Sequence, residues 1–312
     1  MKILIGYDGS EYSGLAIEDL RKAGLPTEAQ AFVLTVGEAW DLPVSLDRLS
    51  ASSEKFVHPT TRAVEKHLQE AAERSRKLAE GAARRIKEIF PVWSVESDGV
   101  CGKPAVELIT KADEWSPDLL VVGSHGRSAL GRAILGSVSQ KVLNESRCSV
   151  RIAKKNEAAG NSNLRILIAV DGSPNAEEAV KTVAGRNWPK DTEVRLTAVD
   201  DPFSPPEAGY ISWSLEEEKP VDNEETRRWI GKVIEAPGEI LRAAGLRVSH
   251  DIRWGDAASM ILREANDWQP DSLFIGARGP GAVKRFLLGS VSSTVAVRAH
   301  CSVEIVRLPP SA

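Results

Sequence analysis

The amino-acid sequence contains an internal duplication that spans most of its length. The segment KILIGYDGS at residues 2–10 is matched by RILIAVDGS at residues 165–173, an offset of 163. From Gly102 and Gly255 onward the offset is 153, so the first copy carries ten extra residues between Val36 and Gly102. Such a chain folds as two similar units. A length of 312 residues suits two domains of about 150 residues each.

Each copy alternates short apolar segments with longer helical ones. The apolar segments are rich in Ile, Val and Leu, as is typical of parallel strands covered on both faces. This alternation predicts an α/β fold in which right-handed crossovers connect parallel strands. We predict domains at residues 1–154 and 164–308, with residues 154–163 as the linker. In the first copy the strands are expected near residues 2–7, 31–36, 92–99, 118–123 and 149–153, and the helices near 11–23, 62–90, 104–115 and 137–146.

Local signals predict where helices begin or break. Ser137, Ser173 and Asp256 each precede a helical pattern and are expected to cap it. Pro237 lies inside the helical pattern of residues 224–244, where it should kink or split the helix.

The least regular segments are residues 41–61 and 201–221. Both follow a second strand and carry prolines, serines and aromatic residues. Loops after strand ends lie on the ligand side of such sheets, so these segments either fold over a site or form ordinary surface connections.

The overall composition excludes several classes of protein. A formal net charge of -4 gives no basic field for nucleic acid or membrane surfaces. No apolar run approaches the roughly 20 residues needed to span a bilayer. Three cysteines are too few and too odd in number for a disulfide framework, which favours a reducing compartment. The first residues enter a strand pattern at once, so we expect no signal peptide and a cytoplasmic location.

Each copy carries the same glycine-rich loop between a strand and a helix. The pattern Gly-x2-Gly-x9-Gly-Ser lies at residues 123–137 and again at residues 276–290. Glycine lets the backbone approach a ligand closely, and the first N–H groups of the next helix attract anionic phosphates. A tight strand exit followed by a helix cap is the alternative, because SVSQ at residues 137–140 has the form of a capping box.

A second motif follows the first strand of each copy. Asp8 and Asp171 each begin an Asp-Gly-Ser sequence. In an open parallel sheet, ligands bind beyond the carboxyl ends of the strands, where the winding direction reverses. If the first and fourth strands are neighbours there, one crevice combines a carboxylate, the glycine loop and an apolar wall from Val36 and Val122. That combination suits a nucleotide. The alternative for Asp8 is a turn residue or a helix cap.

These motifs, together with the Cys-x-Val sequence at residues 148–150, resemble the ATP-binding branch of the universal stress protein family in its tandem form. The resemblance implies two five-stranded parallel sheets of order 3-2-1-4-5 with helices on both faces, Rossmann-like and of the adenine nucleotide alpha hydrolase type. The family's adenine contacts correspond to Asp8, Val36 and Val122, and to Asp171, Val199 and Ile275. Its ribose and phosphate contacts correspond to Gly123, Gly126, Gly136, Ser137, Val138 and Ser139, and to Gly276, Gly279, Gly289, Ser290, Val291 and Ser292.

The resemblance also implies that the fifth strands, at residues 149–153 and 302–306, pair antiparallel within the chain, since each is an edge strand. Ser149 and Ser302 stand where the family usually has proline, which frees an N–H and makes the turn less rigid. Inside the loops, His125 of one copy corresponds to Arg278 of the other. A guanidinium could bind phosphate more strongly than a neutral imidazole, so the two sites are expected to differ in affinity.

The sequence lacks the motifs of a phosphate-transferring or metal-dependent enzyme. No Walker lysine motif occurs, and the five histidines show no metal-ligand spacing. We therefore assign no catalytic residue and no metal ligand of the protein itself. The expected function is regulatory binding of ATP, with or without Mg²⁺, by an intramolecular pseudo-dimer that hydrolyses ATP slowly at most; a homodimer stays open. The alternatives are a nucleotide-free scaffold and an ATP-hydrolysing or adenylate-transferring enzyme.

Overall fold

The computed structural model describes residues 1–37, 57–126, 135–155, 163–201, 213–214, 219–220, 224–279 and 288–309. The first half contains β1 (Lys2–Gly6), α1 (Glu11–Asp19), β2 (Gln30–Gly37), α2 (Val57–Ile89), β3 (Ser94–Cys101), α3 (Pro104–Trp115), β4 (Leu119–Gly123), α4 (Ser137–Glu145) and β5 (Ser149–Ala153). The second half contains β6 (Arg165–Val170), α5 (Pro174–Ala184), β7 (Glu193–Asp200), the short pair β8 (Trp213–Ser214) and β9 (Lys219–Pro220), α6 (Glu224–Ile230), α7 (Ala236–Ala243), β10 (Arg247–Trp254), α8 (Ala257–Trp268), β11 (Ser272–Gly276), α9 (Ser290–Arg298) and β12 (Ser302–Val306). Most of the predicted linker and of the two irregular segments lies outside the described residues.

Ten strands form one sheet in the order β10-β7-β6-β11-β12-β5-β4-β1-β2-β3. Within each half the strands are parallel and follow the predicted order 3-2-1-4-5. The halves join where β5 pairs antiparallel with β12, as predicted. We call this β5–β12 pair the seam. Because the halves run in opposite directions, their strands have carboxyl ends at opposite rims of the sheet.

The signals for helix starts and breaks are mostly confirmed. Ser173 Oγ accepts a hydrogen bond from Ala176 N at 3.3 Å, and Asp256 Oδ1 accepts one from Ser259 N at 2.9 Å, so both residues cap their helices. The helical pattern around Pro237 is divided, because a π-helical turn at Gly231–Glu235 separates α6 from α7.

The two faces of the sheet are packed differently at the seam. On one face a single hydrophobic core runs through both halves and includes Val150 and Ile152 of β5 with Val303 and Ile305 of β12. On the other face each half has its own core. Side chains alternate along a strand, so the residue between Val150 and Ile152, Arg151, points to this second face.

Charged side chains fill the second face of the seam. Arg151 lies opposite Glu304, and both are fully buried. The Arg151 guanidinium lies 2.6 Å from Asp19 Oδ2 and 3.3 Å from Glu304 Oε2, and it donates to Ser272 Oγ at 2.8 Å. Arg186 binds the same Glu304 carboxylate. Burial by itself opposes the charged form of Arg151, but the carboxylates of Asp19 and Glu304 raise its pKa above the usual value.

The two serines at the proline positions extend the seam. Ser149 Oγ accepts a hydrogen bond from Arg307 N, and Ser302 Oγ accepts one from Lys154 N, both at 3.1 Å. Each serine begins its strand and holds the backbone just beyond the end of the partner strand. Ser302 Oγ also donates to Asp19 Oδ1 at 2.7 Å, which connects this hydroxyl to the buried charges.

We expect R151M to lower the free energy of unfolding by about 3–5 kcal/mol, because Glu304 and Asp19 would stay buried with one cation fewer. Chemical denaturation would measure this loss. R21M is the matched control: Arg21 pairs with Glu18 at the surface, and its loss should cost less than about 0.5 kcal/mol. Equal stability of R151M and the wild type would contradict a structural role for the buried charges.

Candidate functional site

The first candidate site lies where β1 and β4 end side by side. These strands are parallel neighbours, so Asp8 beyond β1 and the glycine loop beyond β4 meet at one rim of the sheet. Asp8 Oδ1 accepts a hydrogen bond from Ser10 N at 3.0 Å, as in the turn alternative. Asp8 Oδ2 faces the loop instead, since a Cβ on Gly126 would lie only 3.0 Å from it.

The second site repeats this geometry at the opposite rim. Asp171 Oδ1 accepts from Ser173 N at 2.9 Å, and a Cβ on Gly279 would lie 2.8 Å from Asp171 Oδ2. The backbone of Gly172 has a φ of +74°, a left-handed conformation that favours glycine. Burial raises the pKa of the Asp171 carboxyl, although hydrogen bonds from Ser173 partly oppose this shift.

The glycines at the ends of β4 and β11 have a packing role. A Cβ on Gly123 would lie 2.7 Å from the backbone of Tyr12 in α1, and a Cβ on Gly276 would lie 2.7 Å from the backbone of Asn175 in α5. Backbone cannot move aside as a flexible side chain can. These two glycines are therefore required by the close approach of a helix, whatever the site binds.

The helices after the loops begin without a capping side chain among the described residues. Gly136 and Gly289 are the N-cap residues of α4 and α9, and neither helix start receives a side-chain hydrogen bond. The capping box predicted at Ser137 is therefore wrong, because Ser137 is already the first helical residue. The side chains of Ser137 and Ser290 are exposed at these helix starts. Uncapped N–H groups of this kind favour an anion.

The next serines act within the fold. Ser139 Oγ donates to Gly123 O at 2.6 Å, and Ser292 Oγ donates to Ala277 O at 2.9 Å. Both hydroxyls are buried and hold the start of their own loops. The loop segments 127–134 and 280–287 lie outside the described residues.

The hydrophobic residues assigned to the sites belong to the core that the two halves share. Val36, Val122 and Ile275 are buried in it. Three further valines are partly buried and pack against the same core: Val199, Val138 and Val291. They place an apolar surface beneath each strand end.

The two loops differ in the side chains that follow the strand. In the first half His125 Nδ1 lies 3.0 Å from Ser124 Oγ, and the imidazole packs against the Tyr12 ring with centroids 4.8 Å apart. In the second half Arg278 takes the place of His125 and Asn175 that of Tyr12. The second site therefore has a cation where the first has a tilted ring pair.

Two cations beside the sites were missed in the sequence. Lys154 and Arg307 follow the last residues of β5 and β12, and their side chains reach helices of the opposite half. A basic residue directly after the fifth strand in both copies was the available signal. Their targets could not be foreseen, because the contacts join residues 143 to 164 positions apart.

Metal-ligand clusters and membrane-spanning helices do not occur in the described residues. No group of three or more His, Cys, Asp or Glu side chains in these ranges could hold a metal ion. Among the helices of the described ranges, none combines the length and apolar character needed to cross a bilayer.

Fold and sites together define a duplicated, doubly wound α/β protein with one glycine-loop site at each rim of its sheet. The model of the universal stress protein family matches residues 1–154 and 163–307, and the chain belongs to this family.

Relatives and solved structures agree with this assignment. A universal stress protein of Mycolicibacterium smegmatis is 30% identical over 197 residues, which cover 62% of each chain. The universal stress protein YxiE of Bacillus subtilis is 30% identical over 154 residues, which are 49% of this chain and 98% of that protein. The crystal structure of a universal stress protein from Archaeoglobus fulgidus shares the fold, with a TM-score of 0.58 at 23% identity over 99% of this chain and 97% of that one.

The raised pKa of Asp171 predicts a pH dependence of stability. The folded state holds this proton more tightly than the unfolded state, so the free energy of unfolding falls as pH rises from about 4 through the raised pKa. D171N cannot ionise and should lose this part of the decline in urea denaturation between pH 4 and 7.

D256N provides a control of opposite sign. Hydrogen bonds from Ser259 lower the pKa of Asp256, so its stabilising effect is present at neutral pH and is lost as pH falls. Asparagine keeps the cap without the charge. If D171N and the wild type give the same pH profile, Asp171 does not have the environment described.

Proposed function

We propose that this chain is a cytoplasmic, ATP-binding regulatory protein whose domains, residues 1–154 and 164–308, act as an intramolecular pseudo-dimer. Each domain would hold one adenine nucleotide. The observation that carries the proposal is duplicated: a helix start that no side chain of the described residues caps lies across a glycine loop from a carboxylate. Its three cysteines are all free, in keeping with a reducing compartment.

The residues at each rim fit the parts of ATP. In the first domain Asp8 would accept from the base or sugar, above an apolar surface from Val36 and Val122. The phosphates would bind at Gly126 and at the start of α4, where Ser137 offers an exposed hydroxyl. The equivalent residues of the second domain are Asp171, Val199, Ile275, Gly279 and Ser290. The triphosphate would bring Mg²⁺ with it where a metal is needed.

A nucleotide-free scaffold is the competing function, and specific contacts favour it for part of the motif. Gly123 and Gly276 are explained by helix packing, and the Ser139 and Ser292 hydroxyls are used inside the fold. Within the described part of the chain no such internal role accounts for Gly126 or Gly279, because there an added side chain would meet the end of an aspartate and no backbone. Substitution of these two glycines therefore distinguishes ATP binding from a nucleotide-free scaffold.

We expect ATP to stabilise the protein in a thermal melt. Ligand at 100 times its dissociation constant adds about 2.7 kcal/mol per site. Titration calorimetry should give two sites for the wild type, one for G126V or G279V, and none for the double variant. The fold should survive, because the new side chain would meet the end of an aspartate side chain and not backbone.

G81V is the matched control for these variants. Gly81 lies in α2, and among the described residues a Cβ there would meet only the end of Arg84 at 3.9 Å, so ATP binding should stay at two sites. A wild-type protein with no melt shift and no heat of binding would favour the scaffold. Unchanged binding by G126V and G279V would remove the glycine loops from the site.

A further inference from the structure

We propose that Lys154 and Arg307 are positioning residues that act across the seam, each supporting the nucleotide site of the half to which it does not belong. The inference rests on the proposed function. It assigns each site a residue that the glycine and aspartate motifs do not contain.

Lys154 belongs to the first half but binds a helix of the second. Its ammonium group donates to Val297 O at 2.9 Å, in the last turn of α9, and to Ala299 O at 2.6 Å, the carbonyl of the C-cap residue. The other end of α9 begins at Ser290, beside Gly289 of the second glycine loop. Lys154 therefore holds the far end of the helix whose start forms the second site.

Arg307 makes the reciprocal contact. Its guanidinium donates to Leu143 O at 2.8 Å, near the carboxyl end of α4. That helix begins at Ser137, beside Gly136 of the first glycine loop. Arg307 is only 9% exposed, so the contact is shielded from solvent.

The backbone of both cations is fixed from two sides. The seam serines accept hydrogen bonds from Lys154 N and Arg307 N, as described above. The preceding strand residues, Ala153 and Val306, accept hydrogen bonds from Ser124 N and Ala277 N at the start of their own glycine loops. Each cation thus connects the loop of one site to the helix of the other.

Helix electrostatics gives the direction of the effect. The last carbonyls of a helix carry partial negative charge and its first N–H groups partial positive charge. A buried cation satisfies these carbonyls and fixes the helix axis, which keeps the N–H groups at the other end aimed at the anion. The dipole effect of a charge falls off within the last turn, so the cation acts on the other end through the position of the helix. Its loss should weaken phosphate binding there by about threefold to tenfold.

The test uses full-length variants that keep one site each. G126V leaves the second site and G279V the first. In titration calorimetry with ATP, K154M should weaken the second site about threefold to tenfold and change the first by less than about twofold. R307M should do the reverse. K155M is the matched control for K154M, because Lys155 is the exposed neighbour and should change neither site.

A pH series tests the same proposal without removing a side chain. Burial lowers the pKa of Lys154 to about 8. Burial also lowers the pKa of Arg307, but a guanidinium starts from a much higher value than an ammonium group and keeps its charge between pH 7 and 9. The affinity of the second site should therefore fall as pH rises from 7 to 9, and K154R should abolish that fall. The titratable groups beside Lys154 change charge outside this pH range. Burial lowers the pKa of His300 below its usual range and raises the pKa of Cys301 to about 12.

The outcomes separate the two claims. A wild type that binds no ATP removes the proposed function, and this inference with it, before any cation is changed. If the wild type binds ATP, three results would overturn this inference alone. K154M and R307M would each weaken only the site of their own half, weaken both sites equally, or weaken neither site. The inference is also overturned if the affinity of the second site for ATP depends on pH in the same way in the wild type and in K154R.

Discussion

The antiparallel pairing of β5 with β12 is the contact on which the rest of the structure depends. Without it each half would end in an exposed edge strand, and the core on one face of the sheet would be cut in two. The same pairing sets the direction of each half and so places the two glycine loops at opposite rims. Arg151 and Glu304 meet at its centre, buried and opposite each other.

The Arg151–Glu304 pair also makes the two halves electrostatically complementary at the seam. Arg151 and Glu304 are equivalent positions of the duplication, so two copies of one half would place like charges opposite each other. The surrounding partners are unequal as well: Asp19 corresponds to Thr182, and Ala23 to Arg186. The duplication has therefore kept the strands and loops alike while the buried seam has become complementary rather than symmetric.

The sequence predicted most of the fold and the outline of the sites, because both follow from local or repeated patterns. Strand order followed from the alternation and the resemblance, and the caps at Ser173 and Asp256 from residue type. Ser137 was misassigned because the N-cap position falls on Gly136, a one-residue difference that composition cannot resolve. The charged seam could not be foreseen, since Arg151 and Asp19 are 132 residues apart and their contact depends on how α1 packs against β5.

The glycine motif therefore combines two physical requirements that a sequence pattern cannot separate. Gly123 and Gly276 are needed because a helix backbone passes within contact distance, and this would hold in a protein that binds nothing. Gly126 and Gly279 face a carboxylate at the rim, and there, among the described residues, an added Cβ would meet the end of a side chain and no backbone. The motif thus combines glycines that helix packing requires with glycines that face only a carboxylate among the described residues, and only the second kind can report on a ligand.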